Sequence, residues 1–165
     1  MRVAFDLNGR RTVDEIEPNQ TLCDYLHDLA GTTSVKKGCD TGECGACTVL
    51  LDGMPVTSCL VLAPQVDGRR VVTSDGLGTK SAPHPVQREF VDHDAVQCGY
   101  CIPGMIVTLS WIHEHVPDAS ESEIRRLISG NLCRCTGYQQ QVEALRSAQR
   151  DGLGKVGRES SASPG

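Results

Sequence analysis

Nine cysteines constrain this chain more than any other feature of its sequence: Cys23, Cys39, Cys44, Cys47, Cys59, Cys98, Cys101, Cys133 and Cys135. The opening residues Met1-Arg2-Val3-Ala4-Phe5-Asp6 carry no apolar signal core and no twin-arginine export signal, so a cytoplasmic location is expected. In a reducing compartment an odd number of cysteines argues against a disulfide scaffold, and clustered thiols there more often hold metal. Only 4% of the residues are aromatic, and a core so poor in large rings gains support when metal clusters staple it.

The length of 165 residues allows one ordinary domain or two small ones. With 39% apolar residues and 17 glycines, the composition is that of a folded chain. A net charge of −5 without a long basic run disfavours nucleic-acid binding. No stretch reaches the roughly 18 apolar residues of a membrane span.

Residues 1–75 and 84–150 read as different architectures, joined by a linker over 76–83 and followed by a Gly/Ser-rich tail over 151–165 that is expected to be flexible. In the first part, Asn8-Gly9 between strand-like runs predicts a hairpin, because both turn positions need positive φ. A helix follows, with Thr21 and Asp24 spaced as a capping box, Leu22, Leu26 and Leu29 on one face, and Gly31 placed to end it. A second hairpin turning at Asp52-Gly53, with Pro55 on an unpaired edge, and a last strand over 70–73 complete a small mixed sheet with one helix across it. In the second part, helical patterns cover about 85–96, 104–116, 120–129 and 138–149. Pro85 and Pro103 suit first turns, Ser120 with Glu123 makes a further capping box, and Met105, Ile106, Leu109, Ile112 and Val116 predict an amphipathic second helix.

Cys39-x4-Cys44-x2-Cys47 has the plant-type spacing of a [2Fe–2S] cluster, whose fourth ligand lies further on. Cys59 is the candidate, because the hairpin between Cys47 and Cys59 turns the chain back on itself. Gly38, Gly42 and Gly45 let the backbone wrap closely and aim N–H groups at sulfur. Zinc prefers paired C-x2-C knuckles, which the four-residue gap fits poorly.

The second group is Cys98-Gly99-Tyr100-Cys101 with Cys133-Arg134-Cys135. If the four helices run up and down, both connections fall at one end and the four sulfurs converge near the N-termini of the second and fourth helices. A redox-active C-x2-C would need a βαβ setting, and none is apparent. Cys23, left over, is expected to be a buried, inert thiol.

Three segments carry a family resemblance: Gly38-Cys39-Asp40-Thr41-Gly42-Glu43-Cys44-Gly45-Ala46-Cys47-Thr48-Val49, Gln97-Cys98-Gly99-Tyr100-Cys101-Ile102-Pro103-Gly104, and Gly130-Asn131-Leu132-Cys133-Arg134-Cys135-Thr136-Gly137-Tyr138. In that order, over about residues 3–150, the chain resembles the small iron–sulfur subunit of the molybdenum hydroxylases, the family of xanthine oxidase, carbon monoxide dehydrogenase and aldehyde oxidoreductases. The resemblance implies an α+β protein, a plant-ferredoxin-like β-grasp domain followed by a four-helix bundle, holding two [2Fe–2S] clusters. It implies that Cys98, Cys101, Cys133 and Cys135 lie beside the molybdopterin of a large subunit, with Gln97 and Cys135 approaching that cofactor. Cys39, Cys44, Cys47 and Cys59 then lie nearer the FAD of a medium subunit. It further implies a molybdopterin cytosine dinucleotide, a dimer of heterotrimers, and electron transfer without catalysis by this chain alone. Carbon monoxide, aldehydes, purines, N-heterocycles and aromatic acyl-CoA thioesters are the substrate classes it leaves open. A stand-alone two-cluster ferredoxin and a zinc-stapled interaction module are the alternatives.

Other features carry less. His113-Glu114-His115 lacks the H-E-x-x-H spacing and is expected on a solvated helix face; His27, His84 and His93 have no evident partners. Gly76-x-Gly78 with Lys80 lacks the phosphate-loop spacing. No nucleophile–base pair for covalent catalysis is apparent.

Overall fold

A computed structural model describes the backbone of residues 1–159 and the side chains through residue 151. Five strands form one mixed sheet: β1 (Arg2–Leu7), β2 (Arg10–Glu15), β3 (Thr48–Leu51), β4 (Met54–Thr57) and β5 (Arg70–Val72), in the order β2-β1-β5-β3-β4. The hairpins are those the turn residues dictate. Asn8 and Gly9 have φ of 54° and 81°, Asp52 and Gly53 of 49° and 83°, and such pairs give a turn whose twist matches the strands. β5 enters between them, parallel to β1 and antiparallel to β3. Pro55 lies on the edge strand β4, where a missing N–H costs least.

Val3, Phe5 and Leu7 alternate inward from β1 and, with Val49, Leu51 and Val71, bury one sheet face against α1 (Leu22–Asp24). Thr21 caps this helix by accepting the Asp24 N–H at 3.1 Å. After one turn the helix widens into a π turn over Tyr25–Leu29, closed by Ala30 N donating to Tyr25 O at 2.9 Å. The widening corrects the expected face: Leu22 and Leu26 are buried, but the longer turn rotates Leu29 outward to 62% exposure.

Four further helices follow: α2 (Pro85–Asp92), α3 (Ile102–His115), α4 (Glu121–Leu127) and α5 (Gln139–Glu159). Their shared core contains Phe90, Met105, Leu109, Ile112, Ile124, Ile128 and Leu145. The reciprocal Ser120–Glu123 box opens α4. α3 is not the amphipathic helix expected. It packs on the other helices and on the sheet, where Val107 meets Leu50 and Val72, so nearly all of its residues from Ile102 to Ile112 are buried. α5 also runs past the expected end: the backbone of 151–159 is helical where a flexible tail is expected, and residues 160–165 lie outside the described residues. Among the described residues, no helix is long and apolar enough to cross a membrane.

The histidines are better partnered than the sequence reveals. His84 caps α2 by accepting the Val86 N–H on Nδ1 at 3.2 Å, and its Nε2 lies 3.3 Å from Glu114 Oε1. Ser110 Oγ and the edge-on ring of His113 complete its surroundings. His113 and His115 therefore do not simply line a solvated face: His113 reaches the Ala148 carbonyl on α5, and His115 stacks on Trp111. His93 pairs with Glu89, and His27 with Asp28.

Two predictions follow from this packing. A Cβ at Gly104 would meet the Gly45 carbonyl oxygen at 2.3 Å, whereas one at Gly130 meets nothing within 4 Å. Gly104→Ala should cost about 1–3 kcal/mol in denaturant unfolding, through overpacking between α3 and the 45–46 backbone. Gly130→Ala should be close to neutral, and equal effects would refute the seam as the cause. Burial lowers the pKa of His84 against the opposing pull of Glu114, so the folded state favours the neutral ring. Its stabilising contribution is then complete above the ordinary value near 6.5 and is lost as pH falls through and below it. The melting temperature should accordingly drop more between pH 7.5 and 5.5 in the parent protein than in His84→Asn; parallel drops would exclude His84 as the group responsible.

Candidate metal centres

The second hairpin brings the two ends of the first cysteine group together. Thr48 and Thr57 are register partners, so Cys47 and Ser58 are adjacent, with Ser58 N donating to Cys47 O at 3.3 Å. Cys59 follows in a short 3₁₀ turn over Ser58–Leu60. Cys39 and Cys44 sit on the loop before β3, whose reversals at Asp40, Gly42 and Gly45 take positive φ. A Cβ at Gly38 would meet Cys44 Sγ at 2.6 Å, so the absent side chain there is what lets the loop close over its own sulfur.

Among the described residues, no three His, Cys, Asp or Glu side chains gather as ligands of a single ion. The backbone instead ties them two by two, Cys44 to Cys39 through its amide and Cys59 to Cys47 through the neighbouring Ser58. Two pairs suit a centre with two irons and four thiolates. Cys39 Sγ accepts the Thr41 and Cys44 amide hydrogens, each at 3.4 Å. Hydrogen bonds from Thr41 and then the Cys44 amide bring the Cys39 thiol down to about 6. Cys47 falls to about 5, chiefly through a hydrogen bond from Cys23 against the effect of burial, while burial and its neighbour Cys47 push Cys59 up to about 12. Burial also raises Cys44.

The second group forms in the same pairwise way. Cys98 faces Cys135, and Cys101 faces Cys133. Cys98 and Cys135 are exposed, with Gln97 exposed beside them, while Cys101 and Cys133 are half-buried. Cys101 occupies the N-cap of α3, whose first N–H groups have no helical partner. Cys135 is separated from α5 by a turn in which Gly137 and Tyr138 both take positive φ, so only one of the two expected helix N-termini lies directly against a cysteine. At Cys133 burial is outweighed by the Thr136 hydroxyl, 3.1 Å away, and by amides, so its thiol is lowered; burial followed by Cys133 pushes Cys101 up to about 12. The Cys98 side chain raises Cys135.

The two groups are joined directly. Leu132 N donates to Cys44 O at 2.9 Å, linking the residue beside Cys133 to a cysteine of the other group. Asn131 is buried and donates through Nδ2 to Gly45 O at 3.1 Å and towards Thr48 Oγ1 at 3.3 Å. Tyr100, between Cys98 and Cys101, donates its hydroxyl to Lys37 O at 2.6 Å. These bridging roles of Tyr100, Asn131 and Leu132 were not foreseen from the sequence, although all three stand inside the cysteine-bearing segments. Cys23 is buried as expected, in the core that also contains Cys47 and Cys59.

Known proteins share this arrangement. Residues 5–73 match the 2Fe-2S iron-sulfur cluster binding domain family, and residues 73–146 the [2Fe-2S] binding domain family. The nicotinate dehydrogenase small FeS subunit of Eubacterium barkeri is 46% identical over 146 residues, 88% of this chain and 93% of the relative. The nicotine 6-hydroxylase small subunit of Paenarthrobacter nicotinovorans is 42% identical, covering 90% of this chain and 89% of its own. The crystal structure of quinoline 2-oxidoreductase from Pseudomonas putida superposes with a TM-score of 0.84 at 41% identity, over 92% of this chain and 97% of the matched one. Two halves that each match a [2Fe–2S] domain, with relatives named as small FeS subunits over nearly the whole chain, make this chain a member of the molybdenum hydroxylase family, as one of its small electron-transfer iron–sulfur subunits.

Proposed function

We propose that Cys39, Cys44, Cys47 and Cys59 hold one [2Fe–2S] cluster in a β-grasp domain, and that Cys98, Cys101, Cys133 and Cys135 hold the other in a four-helix bundle. The subunit then carries electrons between a molybdopterin on a large subunit and FAD on a medium one. The observation that carries this reading is the Leu132 N–H···O=C Cys44 bond, which connects the two cysteine groups through a short run of backbone and a single hydrogen bond. Once bound, the clusters supply one-electron carriage; the chain's own residues hold, space and orient them.

Exposure supports an order. Cys98 and Cys135 face outward beside Gln97, which suits Gln97 and Cys135 to approach a partner's molybdopterin, while Cys101 and Cys133 are half-buried against the core of the helices. Asp40, Thr41 and Glu43 form the exposed rim of the ferredoxin-type loop, on the side assigned to the flavin subunit. Amides on Cys39 and the Thr136 hydroxyl at Cys133 offset thiolate charge, as clusters with four thiolates require. Nine cysteines with no disulfide between them are consistent with a cytoplasmic setting. The cytosine dinucleotide form of the cofactor and a dimer of heterotrimers complete the proposed complex. Relatives named for nicotinate, nicotine and quinoline support an N-heteroaromatic substrate for that complex, bound by another subunit.

The assignment is tested by low-temperature EPR of dithionite-reduced protein with iron and sulfide counted on the same sample. Two distinguishable signals and about four irons per chain are expected. Cys44→Ser should perturb the ferredoxin-type signal alone and Cys133→Ser the bundle signal alone. Loss of both signals from either change, in protein that remains folded, would contradict two separate four-cysteine sites. Gln97→Ala should keep both signals yet slow cluster reduction by substrate in the assembled complex; an unchanged rate removes Gln97 from the cofactor contact.

A further inference from the structure

Gln141, in the first turn of α5, is completely shielded from solvent among the aliphatic side chains of the helical core. A buried amide is costly unless both of its ends are bonded, and here both are. Its bonds run to the two segments that carry the second cysteine group. Nε2 donates to Ala95 O at 3.2 Å, just before Gln97 and Cys98. Oε1 accepts the hydroxyl hydrogen of Thr136, the residue next to Cys135, at 3.0 Å. The Ala95 carbonyl can only accept, so it keeps Nε2 on its own side and aims Oε1 at Thr136. The Thr136 oxygen has two further neighbours: it accepts the Tyr138 amide hydrogen at 3.1 Å and lies 3.1 Å from Cys133 Sγ. A hydroxyl carries one hydrogen. When Cys133 is a thiolate ligand, that hydrogen has two acceptors within reach, Gln141 Oε1 and Cys133 Sγ.

We propose that Gln141 is a positioning residue that competes with Cys133 for the Thr136 hydroxyl, holding it while the bundle cluster is oxidised and yielding it to the sulfur on reduction. The inference rests on the assignment of Cys133 as a ligand of that cluster. In the oxidised cluster the thiolate charge is drawn towards iron, which leaves the amide oxygen as the better acceptor. An added electron increases the negative charge that the sulfurs share and turns the hydroxyl towards Cys133. The electron comes from the partner's cofactor in the proposed complex; the hydrogen stays on Thr136 and no covalent bond forms or breaks. A donor at the sulfur stabilises the reduced state, and burial strengthens the bond. The bond given up at Gln141 offsets part of that gain. Gln141 thereby holds the potential of the bundle cluster below the value that an uncontested Thr136 hydroxyl would give.

The test is an EPR-monitored redox titration of the intact complex, carried out on the parent protein, Gln141→Leu, Thr136→Val, Thr136→Ser and the double variant Gln141→Leu/Thr136→Val. Gln141→Leu should favour reduction of the bundle cluster by about threefold to tenfold, tenfold being about 59 mV for one electron. Thr136→Val, which keeps the shape and removes the hydroxyl, should disfavour it by a similar factor. Thr136→Ser restores the hydroxyl and should stay close to the parent. The double variant should match Thr136→Val, because Gln141 acts only through the hydroxyl. The ferredoxin-type cluster should keep its potential throughout. Gln141→Met, equally unable to accept strongly, takes the place of leucine should that variant fail to assemble. A Gln141 variant with an unchanged or lowered potential overturns the proposal while leaving the ligand assignment intact, as does a double variant that differs from Thr136→Val. Absence of the bundle signal from the parent complex overturns the ligand assignment and the proposal together.

Discussion

The close approach of two backbone segments at Gly45 is the contact on which the relation between the two halves depends. A Cβ on Gly45 would lie 2.2 Å from Gly130 O, and one on Gly104 would lie 2.3 Å from Gly45 O. Their absence lets the loop before β3, the start of α3 and the segment before Cys133 pack backbone to backbone. Only then can Leu132 N reach Cys44 O and Asn131 Nδ2 reach Gly45 O. The apolar contact across the same junction is small, centred on Leu50, Val72 and Val107. Buried polar bonds constrain direction as well as distance, so these residues set the orientation of the halves more tightly than burial of a few aliphatic side chains could. Because the cysteines sit on the very loops that meet, fixing the seam also fixes the spacing between the two sulfur groups.

That seam gives the second group a front and a back. Cys101 and Cys133 pack against the core of the helices, while Cys98 and Cys135 remain at the surface with Gln97, Tyr100 and Leu132 exposed around them. Val96 and Leu132 are 45% and 55% exposed, so the rim is apolar as well as polar, the mixture found where subunits meet. A carrier that met its partners only in passing would not need a cysteine pair presented at the end of a helical core beside an amide side chain. Their placement suits the docked subunit proposed above, whose partner would exclude the water those sulfurs otherwise meet.

Much of this was legible in the sequence because it rests on local rules. Positive φ at Asn8-Gly9 and Asp52-Gly53 dictates two hairpins, and the second necessarily returns Cys59 towards Cys47. Ser120–Glu123 announces α4 by the geometry of a helix N-terminus. What stayed hidden was set by tertiary neighbours. Leu29 has the spacing of a core residue, but a π turn, which no spacing rule anticipates, moves it to the surface. α3 reads as one-sided because Gly104, Thr108 and Ser110 count as polar or neutral in a pattern, yet all three are buried, Gly104 against the 45–46 backbone and Ser110 beside His84. His84 looks solitary in sequence because its partners Ser110 and Glu114 are more than twenty residues away. The pairing of sulfurs was equally beyond reach of spacing, which gives four ligands to a site without saying which two face each other.

The two sulfur groups also differ in how their negative charge is offset, and that difference bears on what the subunit can do. The ferredoxin-type group draws on amides of its own tight loop. The bundle group draws on the open N-terminus of α3 and the Thr136 hydroxyl, with two of its cysteines left facing the surface. In a chain with a net charge of −5, neither site gains help from a general positive field, so these few local donors and the depth of burial decide where an added electron rests. In the proposed complex a partner over Cys98 and Cys135 covers exposed sulfurs, whereas Cys47 and Cys59 are already buried in the subunit's own core. On that proposal the driving force between the two sites depends on assembly, because the exposed pair of the second group completes its environment only once a neighbouring subunit covers it.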